Sequence, residues 1–130
     1  MRPVPILAAV LALGLAGCAA VTPPGQTAVT GMVATSDGSA IPVGAQVLVR
    51  LEEQGVADAE ARQIGLATVD AEGKAQVRFR LLVDIANLAG TTAPGWRVRV
   101  QKDGRLLYIN DTRHPYEPGK AARIIVVPVP

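Results

Sequence analysis

One cysteine, one histidine, one tryptophan, one phenylalanine and two tyrosines are all that 130 residues contain of those types. Each shortage closes a route to function. With Cys18 as the only cysteine, no internal disulfide can form. Cys18 and the single histidine, His114, cannot supply the ligands of a zinc site, so no metal is expected. No glycine-rich loop leads into a helix, so no nucleotide or other cofactor is expected. The few aromatic rings leave little surface for stacking on sugars. Net charge is only +2, and Arg2 supplies one of those charges, so nucleic acid is not an expected partner. No apolar run reaches the roughly 20 residues that a membrane helix needs. Convincing long helical patterns are missing as well.

What is present begins with a leader. Met1 and Arg2 precede an apolar run over residues 4–15, which has the length of a signal-peptide core. The run ends in Leu15-Ala16-Gly17-Cys18, which resembles the bacterial lipobox. That resemblance implies diacylglycerol on the Cys18 thiol, cleavage before Cys18 and acylation of the new amine. One acyl chain anchors only marginally, at about 0.8 kcal/mol per buried methylene, whereas three chains anchor durably. Ala19, in place of an aspartate, implies by the same resemblance the outer membrane, on its periplasmic side. The expected division is residues 1–17 as lipoprotein signal peptide, 18–26 as lipidated tether and 27–130 as a single domain. Pro23, Pro24 and Gly25 suit a tether because they oppose regular structure.

From Thr27 onward, short apolar segments alternate with turn residues. Strands are expected over residues 27–35, 46–53, 63–70, 74–83, 96–104, 106–110 and 122–129. Period two is clear in three of them: Val47, Val49 and Leu51; Val77, Phe79 and Leu81; Trp96, Val98 and Val100. Phe79 and Trp96 fall on the inward registers. Asp103-Gly104 predicts a tight hairpin and Gly73 a second turn. Residues 84–90 predict a short helical turn, capped by Asp84 and ended by Gly90. Residues 55–65 read as a connection, and Glu52, Glu53, Asp58 and Glu60 as solvated. The fold class is all-β: a small antiparallel β-sandwich of about seven short strands, or a partly open barrel.

Two polar features stand out. Asn110, Asp111 and Thr112 leave an apolar strand and precede Arg113, His114 and Pro115. A catalytic reading would pair Thr112 with His114 and Asp111, but three residues so close on a strand exit rarely converge, and Pro115 holds His114 extended. Asn and Asp commonly bond to backbone amides that have lost ladder partners, so the three are read as a turn clasp. No catalytic residue is expected. The second feature is Arg50, Arg78, Arg80, Arg97 and Arg99, all on outward registers; if their strands are neighbours, they form a basic binding face for carboxylates or phosphates.

"AIPVGAQVLVRLEE" (40–53) and "GRLLYINDTRHPY" (104–116), with the lipobox and the final apolar strand, resemble the YbaY/YscW-like family of bacterial lipoproteins. The resemblance covers about residues 28–129. It implies a compact β-sandwich and, for some members, service as pilotins that bring a secretin to the outer membrane. The expected role is a non-catalytic interaction module of the cell envelope, favoured as a monomer, with an envelope protein partner that could be a secretin. The alternative is a periplasmic binding module for an anionic glycan or small ligand.

Overall fold

Alternating β-branched and polar residues give the chain its strands, and the computed structural model describes residues 22–55 and 61–130. The leader, Cys18, Asp58 and Glu60 lie outside the described residues. The elements are β1 (Gln26–Thr35), β2 (Gln46–Glu53), β3 (Arg62–Asp70), β4 (Gln76–Asp84), α1 (Ile85–Ala89), β5 (Pro94–Lys102), β6 (Arg105–Ile109), β7 (His114–Pro115) and β8 (Ala122–Pro128). The seven expected strands are present, and the two-residue β7 is an addition. The first strand begins at Gln26, one residue inside the segment read as tether.

The strands form one sheet in the order β3-β2-β5-β6-β8-β1-β4, with β7 paired to β5. All pairings are antiparallel except β1 with β8, which runs parallel from Gly31↔Ala122 to Thr35↔Val126. The antiparallel expectation misses this pair because β8 enters from the same end as β1, after a long return from β7. β8 also turns the corner between the layers: its early residues pair with β1, and Val127 and Pro128 pair with β6. The sheet curls until its two terminal strands face each other. Gly65 on β3 allows that approach, since a Cβ there would sit 2.5 Å from Leu81 Cδ1 on β4. The result is a nearly closed, barrel-like sheet.

Inside lies a single core. Val47, Val49, Leu51, Val98, Val100, Ile124 and Val126 are fully buried, all on inward registers. Trp96 meets Phe79 edge to face at 5.3 Å between ring centroids and Tyr116 at 6.2 Å. Such pairs contribute about 0.5–1.5 kcal/mol each beyond area burial.

The helix differs from expectation in its caps. Asp84 occupies the N-cap position, but its side chain bonds no helix amide; it accepts instead from Gln26 Nε2 and Asn87 Nδ2, both at 3.3 Å. Gly90 ends the helix at φ −83°, without the left-handed turn expected of a glycine stop.

Candidate functional site

The β2–β5 register sets Arg50 opposite Arg97, and Arg99 lies two residues further along the same outer face. Glu52, next on that face of β2, sits between the first two. Arg97 Nε donates to Glu52 Oε1 at 2.8 Å, Arg50 Nε lies 3.4 Å from Oε2, and Gln54 Nε2 donates to Oε1 at 3.3 Å. Glu52 is only 1% exposed, so the solvated reading of this residue is corrected: two guanidinium groups and Gln54 cover it. A carboxylate removed from water needs such partners. Glu52 thus hydrogen-bonds Arg97 and makes a looser ion pair with Arg50, whose Nε has no hydrogen-bond partner, while Arg99 has no ion pair among the described residues.

Arg97 and Arg99 form a ridge between two shallow depressions. One, about 340 Å³, is bordered by Asn110, Asp111, Thr112 and Arg113; the other, about 180 Å³, by Arg50, Gln63 and Leu66. Arg78 and Arg80 do not join them. Both lie on β4, at the opposite end of the strand order from β2 and β5, with β3 between the groups where the barrel nearly closes. The single basic face expected from the sequence is therefore two groups. Arg80 Nη2 donates to Thr22 Oγ1 at 3.3 Å, and Arg78 borders a depression that also contains Asp70 and Glu72.

In the polar cluster, Asn110 carries the bonds. Its Oδ1 accepts from Val98 N at 2.8 Å and its Nδ2 donates to Trp96 O at 2.9 Å. The side chain thereby replaces the ladder at the point where β6 leaves β5. Asp111 and Thr112 are exposed and make no side-chain hydrogen bond among the described residues. His114, half-buried on β7, pairs through its backbone register with Trp96 and shares no hydrogen bond with Thr112 or Asp111 among the described residues.

Two features went unread in the sequence. Glu53 is buried, against the solvated reading, and accepts from three amides: Thr92 N at 2.6 Å, Ala93 N at 2.9 Å and Gly55 N at 2.9 Å. These donors, the Ala93 amide foremost, hold its carboxyl below the ordinary 4.5. Nothing local signals this, because two of the donors lie in a loop some forty residues downstream. The other feature is an apolar groove of about 420 Å³ at the α1 end of the barrel, walled by Ile85, Leu88, Pro94, Tyr116 and Pro118. A short apolar helix after a strand, followed by Pro-rich loops, is its sequence signal. Among the described residues, no group of three or more histidine, cysteine or acidic side chains is placed to hold a metal ion.

This is an almost entirely β-stranded domain whose outer wall carries arginines set around a buried carboxylate. The model for the type III secretion system lipoprotein chaperone (YscW) matches residues 24–126, and the chain belongs to that family. Among solved structures, an alternative pilotin from the type II secretion system of Vibrio cholerae is similar, with a TM-score of 0.71 and 26% identity over 80% of this chain and 97% of that one. No curated protein sequence matches the chain.

Proposed function

We propose that this protein is a non-catalytic, pilotin-like lipoprotein, anchored through Cys18 in the outer membrane and facing the periplasm. Its partner is an envelope protein of the secretin kind, held through an acidic segment on Arg50, Arg97 and Arg99. Membership of a lipoprotein-chaperone family over residues 24–126 is the observation that carries the role. The ridge supports this site: Glu52 orients Arg97 by a hydrogen bond, which lowers the entropy lost when a carboxylate arrives, and Arg99 has no ion pair among the described residues. Arg78 and Arg80, on the far group, serve as an internal comparison.

The test is recovery of crosslinked envelope proteins from cells. Arg99→Glu leaves the Glu52 contacts intact and is expected to abolish most recovery of the partner. Arg78→Glu is expected to leave recovery unchanged. Full recovery with Arg99→Glu removes the ridge from the reading. Arg97→Glu is a poorer probe, because it sets a second carboxylate against buried Glu52.

A second reading rests on the 340 Å³ depression, where Arg97, Arg99, Arg113 and Asn110 surround a space large enough for a small anionic ligand or one sugar unit. Titration calorimetry with an anionic oligosaccharide separates the two: binding abolished by Arg113→Ala favours the ligand module.

A further inference from the structure

The apolar groove at the α1 end lies beside the turn that precedes β1. Pro23 O accepts from Gln26 N at 3.2 Å, which closes a turn over Pro24 and Gly25. Gly25 O then accepts from Ile85 N at 3.0 Å, and Arg80 holds Thr22 at 3.3 Å. The last part of the segment read as tether is thus fastened to β4 and to the first residue of α1, which is itself a wall of the groove. Four peptide units separate Thr22 from Cys18, a reach of at most about 14 Å when fully extended. That is well short of the length of the barrel strands, which at about 3.3 Å per residue run to roughly 30 Å.

We infer that the α1 end of the barrel rests on the bilayer, with the groove of Ile85, Leu88 and Pro118 seated on the lipid surface. The inference depends on the proposed lipidation of Cys18. A lipid at the end of so short a leash holds this end of the barrel at the membrane, and Ile85, 51% exposed, is its most exposed large apolar side chain among the described residues. No acid is among the described residues that line the groove. Of the two acids next to it in sequence, Glu117 pairs with Lys120 at 3.2 Å, while Asp84 accepts from the neutral Gln26 and Asn87 side chains and keeps its charge. The arginine ridge, on the outer wall of β2 and β5, then points sideways from the membrane and stays open to a partner. A helix of a partner protein in the same groove is the competing occupant.

The test uses the full lipidated chain in vesicles of phosphatidylethanolamine with phosphatidylglycerol. Acylation consumes the Cys18 thiol, so an introduced cysteine is the only labelling site. A solvent-sensitive fluorophore is placed at Ile85→Cys, at Pro118→Cys on the opposite wall, and at Val43→Cys on the far end of the barrel, where Val43 is 72% exposed. Labels at 85 and 118 are expected to shift to the blue and to lose most of their emission to brominated lipids, and the label at 43 to do neither. Pro118→Cys does not depend on the integrity of α1, so it remains a reporter if the helix is disturbed. A lipidated protein whose 85 and 118 labels match the label at 43 overturns this inference and leaves anchoring intact. The same holds if those labels leave water only when a partner protein is added. Absence of lipid on Cys18, read from the mass of the N-terminal peptide, overturns the anchoring and this inference together.

Discussion

At one end of the barrel, Glu72-Gly73 and Asp103-Gly104 both take positive φ angles, 53° and 74° in the first pair and 52° and 75° in the second. These are the dihedrals of tight type I′ turns, and the chain reverses with its own backbone. The third link at that end, residues 36–45, is tied by the Asp37 and Ser39 side chains; at the other end none of the described connections is a two-residue turn, and side chains close them. Glu53 gathers the amides of Gly55, Thr92 and Ala93, and Asn110 spans Trp96 and Val98. The apolar groove and the departing tether are at that second end. A backbone turn spreads its strain over two residues and leaves little to bind. An end built from acceptors and loops can be shaped into a surface, but it depends on a few atoms. The groove proposed to meet lipid sits where the fold is easiest to damage with one substitution.

Four substitutions probe that asymmetry by chemical denaturation. Trp96→Ala should have the largest effect, about 3–5 kcal/mol, because Trp96 is 2% exposed and joins Phe79 to Tyr116 beneath the side-chain-closed end. Asn110→Ala strands the Val98 amide and the Trp96 carbonyl and should lose about 1–3 kcal/mol. At the opposite end, Gly104→Ala imposes a left-handed dihedral on alanine and should lose about 1 kcal/mol. Lys120→Ala, which removes an exposed pair with Glu117, should stay within about 0.5 kcal/mol of the parent. A Gly104 effect larger than that of Asn110 would reverse the asymmetry.

Acid sharpens the same comparison. Glu53 has a folded-state pKa below 4.5, so its contribution is complete above that value and disappears as pH falls through the folded-state value. Asp37 behaves alike near the turn end, held below 3.8 first by the Ser39 hydroxyl and then by the Ser39 amide. Glu53→Gln keeps one acceptor and turns a donor toward the loop amides. It should lower the midpoint of thermal unfolding at neutral pH and flatten its decline in acid. An unchanged acid slope would mean that another carboxylate governs it.

The strands were legible because burial follows period two over much of their length: β4 alternates from Gln76 to Asp84, although β1, β2, β3 and β5 each also bury consecutive residues. The Asp103-Gly104 turn was legible because its constraint is local. Glu52 and Glu53 were not. Their burial comes from Arg97 and from the loop before β5, far along the chain, and a pair of acids at a strand end carries no trace of either. The arginines were found on the correct outer face, but their division into two groups depends on strand order, which alternation does not encode. Of the expected clasp, Asn110 has the reach to meet β5, while Asp111 and Thr112 turn to solvent.

The wedge position of β8, parallel to β1 on one side and touching β6 on the other, gives the chain a completion step. A polypeptide emerging N-terminus first presents β1 and β6 as bare edges until its final stretch arrives, and open edges recruit other strands. Loss of the last nine residues would therefore leave a half-built shell prone to clumping, and any factor that shields nascent chains would find its substrate in that interval.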